Sequence, residues 1–214
     1  MTAVAPFTPP EQTPEQTPGQ TPGQTLGQTL GQMPPGGSGH PNGAALRIAV
    51  AGHTNAGKTS LLRTLTRRAD FGEVSDRPGV TRHVERIDLL LQGEVAVRFF
   101  DTPGLEDAVA LLDYLQELPA QSLPAHPSRT DRVRAFLSGP EAHASFEQEA
   151  KVLRQLLASD CGLYVIDARE PVLPKYRDEL TVLSWCAKPL MPVFNFTRGS
   201  DTDAWRQMLA RRNL

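Results

Sequence analysis

Gly52-His53-Thr54-Asn55-Ala56-Gly57-Lys58-Thr59 is the stretch whose reading decides the fold. It follows an apolar run, Leu46-Arg47-Ile48-Ala49-Val50-Ala51, and opens a helix-like run beginning Ser60-Leu61-Leu62, so strand, loop and helix come in succession. The spacing G-x-x-x-x-G-K-[ST] is that of a phosphate-binding loop, and it has a mechanical reason. Gly52 and Gly57 allow backbone angles that turn successive N–H groups inward around a phosphate chain. Lys58 reaches the terminal phosphates and the Thr59 hydroxyl ligates Mg²⁺. The helix that follows points its positive end at the same anion. The candidate nucleotide-binding residues here are therefore Gly52, His53, Thr54, Asn55, Ala56, Gly57, Lys58, Thr59 and Ser60. Leu61, Leu62 and Leu65 are expected on one inward face of the helix.

Away from the loop, the chain's 214 residues suit one domain with appendages. A net charge of -2 gives no basic field that would argue for nucleic acid or an acidic membrane surface. Cys161 and Cys186 are far apart and lack metal-ligand spacing, which points to reduced core thiols and a cytoplasmic setting. No apolar run is long enough to span a bilayer, and the amino terminus lacks the pattern of a signal peptide. Residues 1–45 repeat Thr-Pro-Glu-Gln, Thr-Pro-Gly-Gln and Thr-Leu-Gly-Gln units and carry too few large apolar groups to offset the entropy of ordering. That segment reads as a disordered tail, either a tether or simply solvated.

Residues 46–214 alternate strands with helices, which implies an α/β sandwich with a mostly parallel sheet. A loop over residues 70–80 precedes a strand at 83–91. A tight turn at Gln92-Gly93 then makes the next strand, 94–100, its antiparallel hairpin partner. That strand ends at Asp101-Thr102-Pro103-Gly104. An aspartate at the carboxyl end of a buried strand beside a phosphate loop can hold Mg²⁺ through its water, and the Gly104 N–H is free to approach a γ-phosphate. Residues 106–145 read as a helical insertion with short helices at 111–118 and 129–137. A capping box at Ser145-Phe146-Glu147-Gln148 starts a helix whose face is Phe146, Ala150, Leu153 and Leu157. A buried strand at 163–166 and a further strand at 190–196, despite its Pro192, flank a helix with Tyr176, Leu180 and Leu183 inward, and Trp205, Met208 and Leu209 mark a last helix.

The motifs at 52–59, Pro78-Gly79-Val80-Thr81, Asp101 to Gly104 and Val165-Ile166-Asp167-Ala168 together resemble the P-loop GTPases of the Era, TrmE and Der branch. Residues 73–79, Leu105-Glu106-Asp107 and residues 146–153 are similar to bacterial GTPases that carry a carboxy-terminal region of unknown function, the DUF3482 type. The resemblance implies a Ras-like G domain: three layers, a mostly parallel sheet and an antiparallel hairpin of its second and third strands. It also implies that the chain is the amino-terminal part of a longer protein and stops short of the last strand and helix. Thr81 matches the switch threonine that engages Mg²⁺ and the γ-phosphate only in the triphosphate state. Lys58, Thr81 and Gly104 are thus the expected catalytic residues, and Thr59, Thr81 and Asp101 the expected Mg²⁺ ligands.

Asn55 stands where potassium-dependent relatives hold a monovalent cation, so K⁺ is implied as a second cofactor unless Asn55 only stabilises the turn. Leu105 replaces the water-orienting glutamine, which leaves Glu106 and Asp107 as acids near enough to position water, or as ordinary surface residues. Asn195 is retained from the guanine-reading motif, but Phe196-Thr197-Arg198 replaces its lysine and aspartate, with Asp201 and Asp203 as acids that would have to swing in. The implied activity is slow Mg²⁺-dependent hydrolysis of GTP by a molecular switch that binds GTP, GDP and a protein partner of unknown identity. A relaxed-specificity NTPase, or a non-hydrolysing module that presents its insertion to a partner, are the alternatives.

Overall fold

The computed structural model describes residues 44–67 and 83–214. The repetitive tail and the loop that ends in Thr81 lie outside the described residues. Strands β1 (Leu46–Ala51), β2 (Glu85–Leu91), β3 (Glu94–Asp101), β4 (Cys161–Asp167) and β5 (Leu190–Asn195) form one sheet in the order β2-β3-β1-β4-β5. β1 is central and parallel to both β3 and β4, β4 is parallel to β5, and β2 alone runs antiparallel, to β3. The hairpin turns at Gln92 (φ 53°) and Gly93 (φ 87°), both left-handed, as a two-residue turn between right-twisted strands requires. β2 starts at Glu85 rather than residue 83 because Glu85 already pairs with Asp101, the last residue of β3, and the ladder has no partner beyond it.

Alternation along the buried strands assigns each side of the sheet. Ile48 and Val50 of β1, with Leu163 and Val165 of β4, join Ile87, Phe99 and Leu62 in one apolar cluster under helix α1 (Lys58–Thr66). Ala49, Ala51, Tyr164 and Ile166 face the other way. There they meet α2 (Ala108–Glu117), α3 (Arg129–Ser138), α4 (Glu147–Leu157), α5 (Pro174–Ser184) and α6 (Asp203–Ala210). The result is the three-layer α/β P-loop fold. Tyr176, Leu180, Leu183, Trp205, Met208 and Leu209 are all buried, as their helical spacing predicts. Both cysteines are free and buried.

Two local expectations are corrected. Leu65 is 47% exposed, because the inward direction of α1 runs through Lys58 and Leu62, one turn apart, and Leu65 points away from it. No capping box forms at Ser145. Phe146 is the residue at the cap of α4, its N–H donates to the Glu141 carbonyl (3.0 Å), and its ring packs on Tyr114 and Phe136, so the chain enters the helix through an aromatic cluster. The capping box lies instead at α3, where Asp131 N–H donates to Ser128 Oγ (3.1 Å) and Ser128 N–H to Asp131 Oδ2 (3.0 Å). The helices within residues 106–145 pack into the core. Leu111, Leu115, Val133, Phe136 and Ala142 are fully buried in the same cluster as β1 and β4.

Candidate functional site

β1 delivers the chain to Gly52 at the carboxyl end of the central strand, and α1 begins at Lys58, directly after Gly57 at φ 83°. The loop between them is pinned from inside. Lys58, 7% exposed, donates from Nζ to the carbonyls of Gly52 and His53, 3.0 Å each, which uses two of the ammonium's three N–H groups. Burial pushes Lys58 down to about 8, although Asp101, Glu179 and Glu106 pull it the other way. A cation held at the mouth of a loop at such a cost is poised for an anion.

Its counterpart is Asp101, the last residue of β3 and 1% exposed. Thr59 donates its hydroxyl to Asp101 Oδ2, while Oδ1 has no hydrogen-bond partner among the described residues. Burial raises the Asp101 carboxyl above its usual range, opposed by the Thr59 hydrogen bond and the Lys58 charge. A buried anionic oxygen left without a partner, beside a hydroxyl, fits a hard divalent cation such as Mg²⁺, and Thr59 and Asp101 are the residues that would hold it.

The turn after β3 closes against the loop. Thr102 Oγ1 donates to the Val50 carbonyl (2.8 Å), Leu105 N–H donates to the Gly52 carbonyl (3.2 Å), and His53 and Leu105 form an isolated parallel bridge. Gly104 approaches so closely that a Cβ there would lie 2.1 Å from Thr54 Oγ1 and 2.6 Å from Thr54 Cα, so only glycine fits. Leu105 is fully buried. Of the two acids read as water-positioning, Glu106 faces the loop, accepting from Thr54 Oγ1 at 3.2 Å. Asp107 does not: its Oδ1 accepts the Ala110 N–H (3.1 Å) and caps α2, the role an aspartate takes just before a helix.

Two carboxylates that the sequence reading passed over organise these parts. Glu149 of α4, 4% exposed, accepts the N–H groups of both Glu106 and Asp107 at Oε1, 3.1 Å each, and so ties the turn after Gly104 to the helix layer. Glu179 of α5, 1% exposed, accepts from His53 Nδ1 (2.7 Å) and from the Tyr164 hydroxyl (2.7 Å), while Lys175 Nζ meets His53 Nε2 at 2.9 Å. Because a carboxylate accepts and an ammonium donates, His53 carries its proton on Nδ1. Burial carries the Tyr164 hydroxyl well above its usual range, with Glu179 adding to the effect. Each glutamate stands on the apolar stripe of its helix, three residues after Phe146 or Tyr176, and an acid at such a position was the available signal.

On the far side of the loop, Asn195 at the end of β5 donates from Nδ2 to the Ala56 carbonyl (3.1 Å) and accepts the Phe196 N–H at Oδ1 (3.0 Å). Asn55 is exposed at φ 66°, and Ser60 is exposed in the first turn of α1. Arg198 is exposed, and Asp201 Oδ1 accepts the Asp203 N–H (2.9 Å). Lys58, Thr59, Asp101, Gly104 and Asn195 are thus gathered around one loop, whereas Thr81 is outside the described residues.

Residues 47–196 match the family model described as 50S ribosome-binding GTPase. The chain belongs to that GTPase family. Within it, the chain is 29% identical over 194 residues to a probable GTP-binding protein EngB of Anaeromyxobacter dehalogenans, covering 79% of this chain and 84% of that one. Over 68 residues it is 46% identical to the tRNA modification GTPase MnmE of Rhizobium meliloti, covering 32% of this chain and 15% of that protein. Among solved structures, an Aquifex aeolicus Era variant bound to GDP and aluminium fluoride superposes with a TM-score of 0.50 at 21% identity. It covers 78% of this chain and 46% of the Era chain, and it supports the fold. No helix among the described residues is long and apolar enough to cross a membrane.

Proposed function

We propose that this member of the GTPase family binds GTP and GDP on the loop Gly52 to Thr59 and hydrolyses GTP slowly, as a molecular switch in the cytoplasm. The observation that carries the reading is the pairing of a buried, doubly held Lys58 with a buried Asp101 whose Oδ1 lacks a partner, both beside Thr59. Lys58 has one N–H left, and that donor neutralises the terminal phosphates as charge develops. Backbone N–H groups of the loop and of Ser60 orient the phosphate chain. Thr59, Asp101 and Thr81 are the residues for Mg²⁺, which when bound offsets charge on the phosphate oxygens. The Gly104 N–H marks the γ-phosphate, and its turn relaxes when that phosphate leaves.

Leu105 cannot orient water, so Glu106, held at the loop by Thr54, is the acid nearest in role to the missing group. Asn55, left-handed and exposed, supplies an oxygen for K⁺ in that same position of charge. Phosphate release from GTP in Mg²⁺, measured in KCl and in NaCl and repeated with Lys58→Ala, tests the reading. Turnover that requires Lys58 is expected, and it should be faster in KCl. Arg198 at the place of the base-reading aspartate favours one second reading, an NTPase of relaxed specificity, which equal turnover of ATP and GTP would support.

A further inference from the structure

The backbone N–H groups that follow Gly104 are each given to a fixed acceptor. Leu105 N–H donates to the Gly52 carbonyl where the phosphate loop starts (3.2 Å), and the N–H groups of Glu106 and Asp107 both donate to Glu149 Oε1, 3.1 Å each. The Gly104 N–H itself donates to no acceptor among the described residues. The turn thus keeps one open donor, with the phosphate loop holding it on one side and α4 on the other. Glu149 is buried, and no basic side chain pairs with it among the described residues; Lys151 of the same helix pairs with Glu147 instead (2.9 Å). A buried carboxylate without a cation is costly, and an apolar side chain would serve packing alone. Its place in the first turn of α4, where the positive end of the helix favours an anion, and the two N–H groups it accepts offset that cost. α4 is itself anchored, since Ala150, Val152, Leu153 and Leu156 are fully buried and the Phe146 N–H donates to the Glu141 carbonyl (3.0 Å). The turn therefore cannot retreat without leaving Glu149 Oε1.

We propose that Glu149 is a positioning residue for GTP hydrolysis, holding the turn after β3 so that the open Gly104 N–H meets the γ-phosphate. The proposal rests on the nucleotide reading given above and deepens it. Glu149 acts only through the turn, so it bears on the triphosphate and leaves the diphosphate alone. The bland alternative is that Glu149 only secures α4 to the rest of the fold.

A double-mutant cycle in the full chain separates these. GTP turnover, and the affinities for GDP and for the β,γ-imido analogue of GTP, are measured in Mg²⁺ at a temperature where circular dichroism shows each variant folded. Glu149→Ala is expected to lower turnover and analogue affinity at least about tenfold, with GDP affinity changed less than about threefold. Glu149→Gln, whose amide oxygen still accepts N–H groups, should recover part of both losses. Once Gly104→Ala has displaced the turn, adding Glu149→Ala should change turnover by less than about twofold. Leu115→Ala, which loosens the helix layer without touching the turn, should leave turnover per folded molecule within about threefold. Should Glu149→Ala fail to fold, Glu149→Met, which fills the site without an acceptor oxygen, carries the same comparison. Unchanged turnover, equal losses of GDP and analogue, or losses that multiply in the double variant would overturn the positioning role while leaving the phosphate loop in place. Failure of the unaltered chain to bind either nucleotide would overturn the nucleotide reading and the role with it.

Discussion

Lys58 is an ammonium kept where charge is disfavoured, and this makes its proton a reporter of the site. Its folded value, about 8, lies below the ordinary 10.5, so between those values the unfolded chain holds a proton that the folded chain lacks. Stability should therefore rise with pH across that window, with the full penalty present below about pH 8. Thermal unfolding of the unaltered chain and of Lys58→Met from pH 7 to 10.5 checks this. The substitution should stabilise at pH 7 by about 1–3 kcal/mol, and the advantage should vanish as pH rises. Taking the difference between the two proteins cancels Cys186, whose buried thiol is pushed up to about 12 and acts in the opposite sense. Bound phosphates restore the proton, so GDP affinity should fall by up to about tenfold per unit above pH 8. Asp101 offers the complementary test. Asp101→Asn removes a buried charge and should raise the unfolding temperature in EDTA, yet abolish the tightening of GDP binding that Mg²⁺ gives.

The elements around the loop are fastened by backbone contacts, and two substitutions read how tightly. Gly104→Ala would drive a Cβ into the Thr54 backbone, so the turn after β3 must retreat. GTP turnover should drop at least about tenfold, with GDP affinity changed less than about threefold, because on the proposed reading GDP lacks the phosphate that the turn would meet. Glu149→Ala strands the N–H groups of Glu106 and Asp107 and should cost about 1–3 kcal/mol in denaturant unfolding, with Glu149→Gln recovering part of it through its remaining carbonyl oxygen. Elements governed by local signals were legible in the sequence: the β1-loop-α1 unit, the Gln92-Gly93 hairpin, and the apolar faces of α5 and α6. Those governed by contacts between distant residues were not. Ser145 looks like a cap until the aromatic cluster of Tyr114, Phe136 and Phe146 takes the chain past it. Asp107 was missed for a local reason: α2 begins at Ala108 rather than at the expected residue 111, which makes Asp107 its cap. Glu149 and Glu179 acquire their roles only when helices remote in sequence come to lie against the loop and its neighbouring turn.

At the scale of the whole molecule, α2 and α3 share one apolar cluster with the sheet, so the segment that reads as an insertion is part of what keeps the sheet folded. Leu115→Ala should lower global stability by about 2–5 kcal/mol in a single cooperative unfolding transition, with no early transition for residues 106–145. The mostly parallel sheet and its one antiparallel hairpin were legible because strands alternate with helices and two strands are joined by a tight turn, whereas the strand order and the choice of face for α2 and α3 depend on contacts that no period records. The central claim is that this fold gathers Lys58, Thr59 and Asp101 into a site for a magnesium-bound guanine nucleotide. Titration with fluorescent GDP and fluorescent ADP in Mg²⁺ and KCl, on the unaltered chain and on Lys58→Ala, tests it most directly. The account predicts GDP binding that exceeds ADP binding and weakens at least about a hundredfold without Lys58, on the order of 2.7 kcal/mol. Equal affinities in the two proteins would contradict it.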